Sequence, residues 1–236
     1  MPSPSAPVAS PQPPARPPLA GLTGLTGAGA VATLLAVLSV VLTVLVVAEW
    51  DPLFSFDRWV AEELHHRAVD EPGATWVNRV LTDWVWDPWT MRLLTAVAVI
   101  ALWLRHERLL ALWTTGTAAV GAAVSQGVKA AVGRERPRWP DPVDSADFAA
   151  FPSGHAMTAA VTCGLLLWLV RRHGAGGWPW RTAVAVGAVS VAGAGFTRLW
   201  LGVHWGTDVI SGWLFGGCLV AFSAAVYGRV TLSKKP

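Results

Sequence analysis

Three short stretches of this chain carry polar residues in surroundings where such residues are costly, which makes them functional candidates by default. They are Lys129 to Pro137 (KAAVGRERP), Phe151 to His155 (FPSGH) and Thr197 to Asp208 (TRLWLGVHWGTD). Together they supply the cations Lys129, Arg136 and Arg198, the histidines His155 and His204, the carboxylate of Asp208 and a Ser153-Gly154 turn at a helix start. That set suits a phosphate, because helix N-termini and guanidinium forks both bind its oxygens. His204 and Asp208 are four residues apart, so a helix places them on one face. The carboxylate can then hold one ring nitrogen while the other attacks phosphorus. His155 is the candidate general acid for the leaving oxygen. Singly, each stretch also reads as structure: a histidine at a helix end, or a basic flank that snorkels. Their joint occurrence is what points to phosphoryl chemistry.

The elements that must position these residues belong in a bilayer. Apolar types make up 53% of the 236 residues, charged types only 14%, and there are 15 Trp, far from the balance of one soluble domain. The formal charge of +3 comes from basic residues scattered between apolar runs rather than gathered on a stripe, so no nucleic-acid partner is expected. Cys163 and Cys218 sit inside apolar runs without metal-type spacing and read as small buried hydrophobes.

Residues 1–27, rich in Pro, Ser, Ala and Gly, cannot bury enough apolar surface to fold alone and are expected to form a disordered tail. An uncharged run over residues 28–48 is long enough to cross about 30 Å of hydrocarbon. A cleaved signal peptide would have a shorter apolar region behind a charged leader, so an uncleaved helix is favoured. Residues 49–89 alternate acids with indoles, which places them at the headgroup zone as one or two short helices broken near Pro72 and Gly73. Apolar runs then follow at 91–104, 109–132, 155–170, 182–201 and 207–227. The expected fold is all-α: a polytopic membrane bundle of six transmembrane helices spanning 28–228, an interfacial segment at 49–89 and a basic tail at 229–236. In an up-and-down bundle the three motif stretches fall on one membrane face.

Sidedness follows from the basic residues. Nine of the eighteen Lys and Arg share the side of the termini. Of the other nine, Lys129, Arg134, Arg136, Arg138 and Arg198 crowd the motifs and have a local reason for their place. The remainder favours cytoplasmic termini under the positive-inside rule, with the site on the periplasmic or extracellular face of the plasma membrane.

Lys129-x6-Arg136-Pro137, Pro152-Ser153-Gly154-His155 and Thr197-Arg198-x5-His204-x3-Asp208 resemble the three signature motifs of the type-2 phosphatidic acid phosphatase superfamily, which also contains vanadium haloperoxidases. The resemblance covers roughly residues 90–225. It implies a metal-independent phosphatase without a cofactor, a phosphohistidine on His204, His155 as acid and Asp208 orienting His204. It assigns phosphate binding to Lys129, Arg136, Arg198 and the Ser153-Gly154 backbone. The third motif usually opens with Ser; Thr197 stands there and keeps the hydroxyl. The expected substrates are lipid phosphates or isoprenoid diphosphates: undecaprenyl diphosphate, phosphatidylglycerophosphate or phosphatidic acid. A vanadate-dependent oxidation in the same pocket and a silent lipid binder are the rival readings. The first is disfavoured by the membrane character of the chain, the second by retention of the His-Asp pair.

Overall fold

A computed structural model describes residues 20–233, the side chains of 20–26 excepted, and within that range regular structure is helical throughout. The helices are α1 (Ala20–Val47), α2 (Asp51–Asp70), α3 (Pro72–Val80), α4 (Pro88–Leu104), α5 (Arg108–Val132), α6 (Gly154–Arg172), α7 (Gly177–Trp200) and α8 (Gly206–Leu232), with a π-helical turn at Leu81–Val85 before α4. Helix α1 packs on α8, which also holds α6, while α6 is flanked by α7 and α4 and α4 by α5. The expected Pro-rich tail lies outside the described residues as far as 19. From Ala20 the chain is already helical, eight residues ahead of the expected start, and no Pro stands between Pro18 and the end of α1 at Val47 to interrupt it.

Helix ends follow local chemistry. Asp87 caps α4, its Oδ1 accepting from the N–H groups of Trp89 at 2.7 Å and Thr90 at 3.4 Å, with Pro88 in the first turn. Gly133 closes α5 in the left-handed region at φ 62°. The 49–89 segment forms two helices that break at Glu71, where Pro72 restricts the residue before it and starts α3.

The outer surface of the bundle is apolar. Leu34, Val40 and Val44 on α1, Leu93, Val97 and Ile100 on α4, and Val186 and Val189 on α7 all stand exposed. A water-soluble monomer does not present such a surface. Five stretches are long and apolar enough to cross a membrane: Gly27–Val47, Pro72–Leu104, Gly154–Arg172, Gly177–Trp200 and Gly206–Leu232. Helix α5 is long enough but is not among them, since Thr114, Thr115, Thr117, Ser125, Gln126 and Lys129 dilute its hydropathy. One of these hydroxyls faces a neighbouring helix: Thr117 Oγ1 lies 2.6 Å from Ser223 Oγ, which also accepts from Trp113 Nε1 at 2.7 Å. Polar contacts of this kind hold helices together where lipid leaves no hydrophobic drive between them.

Two small clusters bracket the molecule. Leu102, Leu110, Ala111, Leu169 and Tyr227 close the end away from the motifs. Ala68, Trp200, Leu201 and Val203 close the motif end, where α2 meets the turn between α7 and α8.

Candidate active site

The end of α5, the start of α6 and the turn between α7 and α8 converge, as the up-and-down arrangement requires. Helices α6 and α8 approach so closely there that a Cβ on Gly212 would lie 2.7 Å from the Ser153 carbonyl oxygen and 2.9 Å from the Met157 nitrogen. Only glycine allows the two backbones that distance. The Ser153 N–H donates to the Asp208 carbonyl oxygen at 2.9 Å, tying the two helix starts together.

His204 is buried in the turn, with Asp208 one helical turn further on and wholly buried. Its Nδ1 lies 3.3 Å from Asp208 Oδ2, which also accepts the Trp205 N–H at 2.9 Å. Its Nε2 lies 3.1 Å from Arg136 Nη1. A guanidinium only donates, so these partners assign the proton to Nδ1 and leave Nε2 unprotonated, its lone pair directed at Arg136. Burial, reinforced by the charges of Arg136, Arg198 and Lys129, holds the His204 pKa well below the usual histidine range, and the ring is neutral near pH 7.

Arg136 is fixed by three backbone carbonyls: Nε donates to Phe148 O at 2.9 Å, Nη2 to Asp147 O at 2.9 Å and Nη1 to Val203 O at 2.6 Å. Lys129 reaches from α5 to donate to Ala149 O at 2.6 Å, with its Cε 3.9 Å from where a Gly154 Cβ would stand. Arg198 is buried on α7, 3.7 Å from Asp144 Oδ2, and its Nη1 makes a long 3.4 Å bond to Thr82 Oγ1 while Nε has no partner. Half-buried His155 sits at the start of α6 within electrostatic reach of His204, Lys129, Arg136 and Arg198. Thr197 is buried and its hydroxyl donates to Ala194 O at 3.3 Å, back along its own helix.

One detail departs from expectation. The Ser153 N–H is occupied by Asp208, so it is not free for a phosphate oxygen. The N–H groups of Gly154 and His155 form no backbone hydrogen bond outside the helix, and the buried Ser153 Oγ has no partner. These are the donors the α6 start offers an anion.

Two residues lie beyond the motif reading. Asp57 of α2, almost completely buried, and Arg134 form a salt bridge at 2.7 Å, and Arg134 bridges at the same distance to Asp208. Arg134 lies inside the first motif stretch, where its spacing from Lys129 gave no sign of a different partner. Asp57 sits among the acids of the 49–89 segment, and its burial is visible only once α2 is docked.

A buried His-Asp pair whose second ring nitrogen faces a guanidinium, with two further cations close by at a helix start inside a lipid-facing bundle, has the chemistry of an anion site. The family model described as the PAP2 superfamily matches residues 109–231, just over half of the sequence, and this chain belongs to that superfamily. An undecaprenyl-diphosphatase of Sulfolobus acidocaldarius is 34% identical over 88 residues, 36% of this chain and 37% of that protein. A lipid A 1-phosphatase of Rhizobium etli is 34% identical over 87 residues, 37% of this chain and 33% of that protein. The chain thus spans about a third of the length of these curated relatives. The crystal structure of a transmembrane PAP2-type phosphatidylglycerolphosphate phosphatase from Bacillus subtilis shares the fold, with a TM-score of 0.72 at 19% identity over 84% of this chain and 96% of that one.

Proposed function

We propose that the protein is an integral membrane lipid phosphatase that hydrolyses a lipid phosphate or isoprenoid diphosphate through a phosphohistidine on His204, without a metal. The observation that carries this reading is the buried line Asp208–His204–Arg136, in which the Nε2 lone pair meets a phosphate-type donor instead of a structural partner. A phosphoryl oxygen displaces Arg136 Nη1 from Nε2, and the guanidinium, still anchored on carbonyls, receives that oxygen. Nε2 attacks phosphorus, the bond to the leaving oxygen breaks, and that oxygen takes a proton from His155. Water then attacks the phosphorus and returns a proton to His155, the P–N bond breaks, and inorganic phosphate leaves. The negative charge of the phosphate is that against which an imidazolium on His155 is held. Lys129, Arg198, Gly154 N–H and Ser153 Oγ complete the phosphate cradle.

An apolar groove of about 430 Å³ between α4, α5 and α6, lined by Val99, Ala122, Met157 and Val161 among others, begins beside the start of α6 and supports a substrate with a hydrocarbon chain. In this reading α5 is a sixth crossing, and α2 and α3 lie at the membrane surface. Exposed Trp59, Trp76, Trp84 and Trp89 suit the headgroup zone. The distribution of basic residues supports cytoplasmic termini and a site on the outer face. Undecaprenyl diphosphate, phosphatidylglycerophosphate and phosphatidic acid are the candidate substrates.

The test is phosphate release by the purified protein in detergent with EDTA, over these three lipids and a soluble diphosphate, with His204→Ala in parallel. Metal-independent release lost in the variant supports the mechanism; no release from any of the four overturns it in favour of a silent lipid binder.

A further inference from the structure

The Arg134 guanidinium is shared between two buried carboxylates on different helices. Nη2 donates to Asp57 Oδ2 at 2.7 Å; Nη1 donates to Asp208 Oδ1 and to Thr207 Oγ1, each at 2.7 Å. Asp57 closes the circuit from α2: its Oδ1 accepts the Thr207 N–H at 2.9 Å and its Oδ2 the Thr207 hydroxyl at 2.5 Å. The Arg134 side chain is 7% exposed, that of Asp57 1% and that of Asp208 0%. The rings of Phe54, 4.7 Å from the guanidinium carbon, and Trp205, at 5.5 Å, cover Arg134. Both terminal nitrogens of Arg134 are thus committed to protein oxygens, unlike Arg136 two residues on, which faces His204 Nε2.

This arrangement divides the work of the Asp208 carboxylate. Oδ2 serves His204 Nδ1 and the Trp205 N–H, while Oδ1 has Arg134. Without Arg134, Oδ1 is a buried acceptor without a partner, and the carboxylate is free to rotate away from the histidine. Without Asp57, Arg134 keeps only one carboxylate and the first turn of α8 loses the acceptor at Thr207.

We infer that Arg134 and Asp57 are a positioning pair for phosphoryl transfer, locking the Asp208 carboxylate in the orientation that holds His204 for attack and thereby coupling the docking of α2 to the reactivity of the site. Neither residue touches the phosphate. The inference rests on the phosphatase reading above and adds two residues to its machinery that lie outside the roles taken from the motifs.

The experiment uses the full chain in detergent, short-chain phosphatidic acid as substrate and orthovanadate as phosphate mimic. Arg134→Lys, Arg134→Gln, Asp57→Asn and the Asp57→Asn/Arg134→Gln pair are measured for kcat, KM, vanadate inhibition and melting temperature. Asp57→Asn is also measured in an Asp208→Asn background. Each single change is expected to lower kcat by about 10- to 100-fold, the range for residues that orient a reactive ligand, with KM and vanadate inhibition within about threefold. Arg134→Lys retains more activity than Arg134→Gln, the double variant is no slower than the worse single, and Asp57→Asn costs little once Asp208 is already Asn. An unchanged kcat overturns the inference, as does a vanadate affinity that falls in step with kcat, or an undiminished penalty for Asp57→Asn in the Asp208→Asn background. If Arg134→Gln does not fold, Arg134→Lys and Asp57→Asn decide the matter. A wild-type protein that releases phosphate from no substrate instead removes the underlying phosphatase reading, which these variants do not address.

Discussion

His204 is held at both ring nitrogens by groups of opposite charge: Nδ1 is 3.3 Å from Asp208 Oδ2 and Nε2 is 3.1 Å from Arg136 Nη1. The carboxylate fixes the tautomer and the guanidinium marks where the phosphate goes. Replacing Asp208 by Asn keeps the shape but lets the amide present a donor to Nδ1, which favours the wrong tautomer. Asp208→Asn is therefore expected to lower kcat by about 10² to 10⁴-fold with KM nearly unchanged. Steady-state kinetics on a short-chain lipid phosphate check this, and a kcat within threefold of wild type removes the orienting role.

Arg136 does two jobs, tying the 133–153 loop, through the Asp147 and Phe148 carbonyls, to the α7–α8 turn at the Val203 carbonyl, and facing Nε2. Lysine keeps the charge but cannot reproduce the fork. Arg136→Lys should weaken vanadate inhibition by at least about tenfold, since a charged bidentate contact is worth roughly 1.5–3 kcal/mol. Vanadate titration of the two proteins measures it, and equal affinities would show that Arg136 is a loop staple alone.

How far the sequence disclosed this site depends on what kind of signal each residue leaves. The three motif stretches were legible because charged residues between apolar runs stand out, and the short connections between α6, α7 and α8 leave few ways to arrange them. Asp57 was not legible: it shares a buried helical face with Ala61, His65 and Ala68, and small or polar residues at that spacing give no apolar stripe. Arg134 was grouped with the motif cations by its charge, although its partners are the buried carboxylates of Asp57 and Asp208. The Ser153 N–H looked free because a sequence does not reveal that the first turn of α8 would come within hydrogen-bonding distance. The run at 109–132 reads as a span because Lys129 is its only charge, while its hydroxyls, of which Thr117 pairs with Ser223, keep its hydropathy low.

Gly212 and Gly116 test the packing beneath the site. A Cβ on Gly212 meets backbone of α6 at 2.7 and 2.9 Å, whereas one on Gly116 meets nothing within 4 Å. Gly212→Ala should force α8 from α6, lower stability by about 1–3 kcal/mol and reduce activity by displacing Ser153 from Asp208. Gly116→Ala should be neutral or slightly stabilising through higher helix propensity. Melting temperature and phosphate release together distinguish them; equal behaviour would mean that the α6–α8 contact is not tight.

The buried histidine also sets a pH dependence of stability whose sign is fixed. The native pKa of His204 is depressed by burial and by the neighbouring cations, while in the unfolded chain it returns to about 6.5. Below that value the unfolded state binds a proton that the native state refuses, so stability present above about pH 6.5 is lost as the pH falls. His173, at the opposite end of α6, has the reverse sign: its Nε2 lies 2.9 Å from Glu107 Oε1, and that bond raises its pKa. Its stabilisation is full below about pH 6.5 and disappears as the pH rises through its raised value, but a third of the side chain is exposed, so solvent keeps it small. Wild type in detergent should therefore melt at progressively lower temperature from pH 7 to pH 5, and His204→Gln should show a clearly shallower fall. Parallel curves for the two proteins would mean that protonation elsewhere governs acid unfolding and that His204 is hydrated in the native state.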